Sequence, residues 1–178
     1  MLAGMSAKWA FIDESKSNSY IVAAAVVESH SAPGIRKTLQ GLRMKGQRRI
    51  HFSTESDARR KTLLSKISTF DCRYFVIESS LKIEFDARRD ALSSLVAFLI
   101  GENVTTLVVE LDESIQTHDR RTIEAVIRDQ NSKALVNYRH ESPFLECLLW
   151  LPDAVAWVSA KGDHWATRLN IQRLNLRP

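Results

Sequence analysis

A chain of 178 residues, 44% hydrophobic and 26% charged, has room for one well-buried domain and is short for two. It has no apolar run of membrane-spanning length, and Met1–Met5 is too short and uncharged for a secretory leader; both features point to a cytoplasmic protein with no membrane partner. The net charge of +4 is modest, and six glycines without a Gly-x-x-x-x-Gly-Lys pattern argue against a nucleotide hydrolase built on a phosphate loop.

Trp9–Ser15 is predicted to be a buried strand delivering two carboxylates, Asp13 and Glu14, to its end. A short polar turn leads into the unbroken apolar run Tyr20–Val27, read as its antiparallel partner. Pro33 opens a helix running to about Met44, with Ile35, Leu39 and Leu42 at helical spacing. Ser53 or Thr54 is expected to cap a second helix reaching Lys66–Ser68, with Leu63, Leu64 and Ile67 facing inward. Cys72–Glu78 is aromatic and β-branched, hence a third strand.

A helix is predicted from Asp86 to about Ile100 on the stripe Leu92, Leu95, Val96 and Leu99, ended by Gly101. Val104–Asp112 is the fourth strand and again ends in carboxylates, Glu110 and Asp112. Another helix centres on Thr122–Arg128, and Ala134–Arg139 is a short fifth strand. The last helix is predicted from Ser142–Pro143 to about Ala160, followed by a basic tail to which no element is assigned. The order describes one α/β domain: a mixed five-stranded sheet with helices on both faces and a core over about residues 8–160. A basic helical segment, about residues 33–68, is inserted in it. Cys72 and Cys147 lie far apart without metal-ligand spacing and read as reduced structural thiols.

Ends of strands along one sheet edge form the usual ligand crevice of α/β folds. Asp13 and Asp112 meet there if the first and fourth strands are parallel neighbours. Glu146 and Asp153 lie seven residues apart, two turns along one face of the apolar last helix. An unpaired carboxylate buried there costs several kcal/mol, roughly, so it needs a partner, a proton or a metal ion. Pro152, placed inside that helix, removes a hydrogen bond to the Leu148 carbonyl at a cost of about 3 kcal/mol. Converging carboxylates form a hard oxygen site suited to Mg²⁺ or Mn²⁺. A pair of such ions about 4 Å apart can activate water and stabilise the leaving oxygen of a phosphodiester. The alternative is a set of exposed acids at strand ends together with a salt-bridged Asp153.

Glu110 and Asp112 alternate along their strand and face the same side, so either fits the site. His51 follows Arg48 and Arg49; it suits an acid, a base or a phosphate ligand, or equally a hydrogen-bonded structural histidine. Basic residues crowd positions 36–66. With Arg48, Arg49, Arg59, Arg60 and Lys61 they read as a surface for backbone phosphates, or as a solvated helix face. Trp150 and Trp157 read as core packing.

Four short stretches resemble, in order, the boxes of the domain-of-unknown-function family 3800. They are Phe11-Ile-Asp-Glu-Ser15, Ile50-His51-Phe52, Leu107–Glu113, and Glu141–Leu145 with Asp153–Ala156. The resemblance spans roughly residues 8–158 and implies a ribonuclease H-like fold, similar to Holliday-junction resolvases and transposases. It implies Asp13, Asp112 and Asp153 as catalytic metal ligands, with His51 and either Glu14 or Glu55 nearby. Glu146 stands where the family has Gln, adds negative charge and is compatible with metal. Lys16 stands where the family has Gly and could take a cation position. The expected function is a divalent-metal-dependent nuclease using Mg²⁺ or Mn²⁺ on DNA or RNA. The alternative is a non-catalytic nucleic-acid-binding or protein-interaction module on the same fold.

Overall fold

The computed structural model describes residues 6–16, 19–130 and 136–176. Strands β1 (Lys8–Ser15) and β2 (Tyr20–Glu28) pair antiparallel from Lys8 opposite Glu28 to Ser15 opposite Ile21. Every β2 residue except Glu28 is buried, because helices cover both faces and leave no polar side for alternation to show. Strand β3 (Cys72–Ser79) runs antiparallel along the far edge of β2. Strand β4 (Val104–Glu110) runs parallel to β1, and β5 (Asn137–Glu141) parallel to β4.

A sixth strand, β6 (Ile171–Leu174), pairs parallel with β3, so the order is β5-β4-β1-β2-β3-β6. This corrects the predicted five-stranded sheet. Four residues at a sheet edge, half-buried at each end and exposed between, carry too short a pattern to register as a strand. Of the predicted fifth strand, Ala134 and Leu135 lie outside the described residues; the described strand extends to Glu141.

Helices α1 (Ala32–Gly41), α2 (Asp57–Ile67) and α5 (Trp150–Lys161) share one core with Phe11, Ala23 and Ala25. Helices α3 (Glu84–Gly101) and α4 (Gln116–Asp129) share the other with Ala10, Ile12 and Val22. Side chains alternate along β1. Asp13 therefore falls on the α5 face with Phe11, and Glu14 on the α3 face with Ile12. A single turn, α6 (Asp163–Ala166), follows α5. Among the described residues, no helix is long and apolar enough to cross a membrane.

Two local expectations change. The cap of α2 is Ser56, whose hydroxyl accepts from the Arg59 N–H at 3.3 Å; Ser53 and Thr54 instead lie in a 3₁₀ turn over Phe52–Thr54. The last helix starts at Trp150, preceded by a 3₁₀ turn over Cys147–Leu149. Pro152 thus occupies the first turn, where the backbone N–H has no acceptor inside the helix and proline is tolerated. The expected kink and its cost disappear. Glu146 lies ahead of the helix and shares no helical face with Asp153.

Candidate active site

Strand β1 is covered by α5 on one face and continued by β4 at its edge. The β1–β4 ladder ends with Ile12 opposite Val109, which leaves Asp13 beside Glu110 one step further on. Asp13 is only 8% exposed. Burial raises its pKa well above the usual value, and the charges of Glu110, Asp153 and Glu14 add to the rise. The Glu14 N–H donates to Asp13 Oδ1 at 2.8 Å and works against it. Glu110 is also raised, first by burial; Arg49 and His51 oppose the rise, while Asp153 and Glu14 reinforce it.

Asp153 stands in the first turn of α5, where the helix dipole favours a carboxylate. Its Oδ2 accepts from the Phe52 N–H at 2.8 Å, and His51 Nδ1 lies 3.3 Å from its Oδ1. The other ring nitrogen of His51 meets Ser53 Oγ at 2.7 Å. Arg49 Nη1 stands 3.5 Å from Glu110 Oε1. Asp13, Glu110 and Asp153 thus sense one another electrostatically, with the Arg49 guanidinium and the His51 ring as their neighbours.

The remaining predicted acids lie elsewhere. Asp112 is turned to Ser114, accepting from its N–H at 3.0 Å and its hydroxyl at 2.6 Å; those bonds hold its pKa below the usual range. It closes the turn into α4, two residues beyond Glu110, the last residue of β4. Glu14 faces the opposite side of the sheet, 2.7 Å from Arg88 Nη1. Glu146 is gripped by Arg36, with Nε to Oε1 at 3.0 Å and Nη2 to Oε2 at 2.7 Å, and also accepts from the Leu148 N–H. Glu55 accepts from Gln47 at 2.6 Å. Lys16 pairs with Glu84 at 2.7 Å, away from the carboxylate group.

The basic candidates divide as well. The guanidinium groups of Arg48 and Arg49 lie over the Phe144 ring at 4.9 and 5.2 Å. Arg59 donates to the Leu42 carbonyl. Arg60 donates to the Phe52 carbonyl at 2.8 Å, the Ser53 carbonyl at 3.0 Å and Asp57 at 2.7 Å. Both therefore tie α2 to the loops before it rather than presenting free phosphate donors. Lys61 is exposed. Trp150 is core, donating from Nε1 to the Pro143 carbonyl.

On the α3 face lies a buried network that the sequence reading missed. Arg88 donates to both Asp119 oxygens at 2.6 Å and to the Tyr20 hydroxyl at 2.5 Å, besides pairing with Glu14. His140 Nε2 stands 3.4 Å from Asp119 Oδ2 and Tyr138 Oη 2.7 Å from His140 Nδ1. Burial pushes Asp119 up, but the bonds from Arg88 and His140 prevail and its pKa is lowered. The signal was present: Arg88 falls on the same helical stripe as Leu92, Leu95 and Leu99.

Among the described residues, no group of three or more His, Cys, Asp or Glu side chains is arranged to hold a metal ion. The donor chemistry nonetheless fits a hard divalent cation: two carboxylates destabilised by burial and mutual repulsion, with a third within electrostatic reach. No protein-family model matches the chain, and no curated protein matches it. It is similar in structure to a chain of the PCNA:RNase HII complex from Archaeoglobus fulgidus, with a TM-score of 0.59 and 17% identity. The match covers 86% of this chain and 72% of the other. The fold is therefore ribonuclease H-like, an α/β domain on a mixed six-stranded sheet.

Proposed function

We propose that the protein is a divalent-metal-dependent nuclease that hydrolyses phosphodiester bonds in nucleic acid. The observation that carries the reading is the adjacency of Asp13 and Glu110 at the ends of neighbouring parallel strands, with Asp153 acting on both. On a ribonuclease H-like fold this is the sheet edge where ligands collect. The resemblance to family 3800 supports the same assignment for Asp13 and Asp153, and Glu110 replaces Asp112 in it.

Asp13, Glu110 and Asp153 would hold Mg²⁺ or Mn²⁺. When bound, the metal would supply an activated water and charge stabilisation at the leaving oxygen. Around it, Arg49 balances part of the Glu110 charge. His51 is oriented by Asp153 on one nitrogen and Ser53 on the other, which suits it to serve as an acid, a base or a phosphate ligand. Exposed Arg48, with Arg49, offers contacts to backbone phosphates, which position a strand without reading its sequence.

The test is cleavage of end-labelled DNA and RNA with Mn²⁺ or Mg²⁺ and with EDTA. Metal-dependent products that vanish in Asp13→Asn and Glu110→Gln agree with the reading; equal cleavage by either variant overturns it. The alternative, a non-catalytic nucleic-acid-binding or protein-interaction module on the same fold, is separated by the same test. It predicts binding that ignores metal, and no products.

A further inference from the structure

A cavity of about 630 Å³ is lined by Ser15, Ser53, Asp57, Trp157, Lys161 and Trp165 among others, on elements that include those carrying Asp13 and Asp153. Its volume falls within the roughly 300–1,000 Å³ typical of small-ligand pockets. Three tracks lead into it from the candidate active site. On β1, Ser15 follows Asp13 by two residues and shares its sheet face, about 7 Å along the strand. In the preceding loop, Ser53 is bonded to His51. On α5, Trp157 and Lys161 follow Asp153 at four-residue steps, one helical stripe advancing about 6 Å per step.

The lining is aromatic and mixed in charge, with Arg60 and Lys161 cationic and Asp57 anionic. Trp157 and Trp165 meet edge to face with centroids 5.1 Å apart. Arg60 covers Trp157 at 4.3 Å, its charge balanced by Asp57 at 2.7 Å. Lys161 Nζ lies 5.7 Å from the Trp157 centroid, is exposed, and among the described residues pairs with no carboxylate. A cation with no acidic partner beside a tryptophan wall and two hydroxyls matches the chemistry of a nucleotide: an anionic phosphate joined to a flat base. A base held here is unstacked from its neighbours, so a fully paired duplex does not fill the cavity.

We infer that this cavity is a subsite for one unpaired nucleotide next to the scissile bond, and that the preferred substrate is single-stranded nucleic acid. Lys161 meets the phosphate and the half-buried Trp157, backed by buried Trp165, meets the base. The inference rests on the proposed hydrolytic centre, and its test works without metal so that the two can fail separately. Fluorescence anisotropy in EDTA compares labelled oligothymidylate with a blunt duplex of equal length, using the full chain. Tighter binding of the single strand is expected, weakened about tenfold by Lys161→Glu and by Trp157→Leu. Lys161 is exposed, so its variant keeps the test decisive if Trp157→Leu fails to fold. Equal affinity for strand and duplex, or unchanged strand binding by Lys161→Glu, overturns the subsite. A wild type that prefers the strand but yields no products with Mn²⁺ upholds the subsite and removes the catalytic reading alone.

Discussion

Asp13 and Glu110 stand on adjacent parallel strands, each one residue beyond the last ladder pair, Ile12 and Val109. Each acid raises the proton affinity of its surroundings, and Asp13 is held well above its usual pKa by burial and by Glu110. The ladder that stabilises the sheet thus delivers two like charges to one place.

A stability cost follows for Asp13. Its pKa is raised on folding, so the native state binds the proton more tightly than the unfolded chain does. Stability from this group is present below the ordinary value of 3.8 and is lost as pH rises through the folded value. Asp13→Asn removes that loss. Thermal melts at neutral pH should give the variant a higher Tm than wild type, and the gap should close as pH is lowered below 3.8. A lower Tm for the variant at neutral pH would contradict the assignment.

Glu110 and Asp112 separate by the same logic. Glu110→Gln is expected to lower metal-dependent cleavage at least about 100-fold, since altering even supporting contacts of a metal site costs 10–100-fold. Asp112→Ala loses its bonds to Ser114, costs about 1 kcal/mol in urea melts and leaves cleavage intact. The reverse pattern would restore Asp112 as the ligand.

The Arg88 network predicts a different outcome. Arg88→Met leaves buried Asp119 without its guanidinium partner and takes from half-buried Glu14 its 2.7 Å ion pair, a change worth about 3–5 kcal/mol of destabilisation. Removing both sides, as in Arg88→Met with Asp119→Leu, should recover part of the loss because the uncompensated charge goes with it. A double variant less stable than the sum of the single changes would rule out this account.

The run Arg59-Arg60-Lys61 should split in denaturant titrations. Arg60→Ala strands the Phe52 and Ser53 carbonyls and is expected to cost about 1–3 kcal/mol. Lys61→Ala should fall within about 0.5 kcal/mol of wild type. Equal, small effects from both would mean that Arg60 is a free surface cation after all.

The strands that build the site were readable because β1, β2, β3 and β4 are apolar runs bounded by polar turns. The antiparallel β1–β2 pair was readable from the short turn between them; the place of β3 beside β2 and the sixth strand were not, since they depend on contacts distant in sequence. The choice between Glu110 and Asp112 turned on where β4 stops; both have the same parity, and only the turn held by Ser114 separates them. Glu146 and Asp153 looked like one helical face because the apolar run from Phe144 to Val158 hides a 3₁₀ turn before α5. Charge runs show density but not partners, so Arg59 and Arg60 read as free when their donors are taken by backbone carbonyls. Trp157, read as core, does pack against it but is only half-buried and also lines a cavity.

The most direct measurement is anomalous diffraction from crystals soaked in Mn²⁺. The account predicts density between Asp13 and Glu110, within reach of Asp153, and none there in Asp13→Asn crystals. Crystals that take up no Mn²⁺ at these residues, or bind it only elsewhere on the surface, would contradict a hydrolytic centre on this sheet edge.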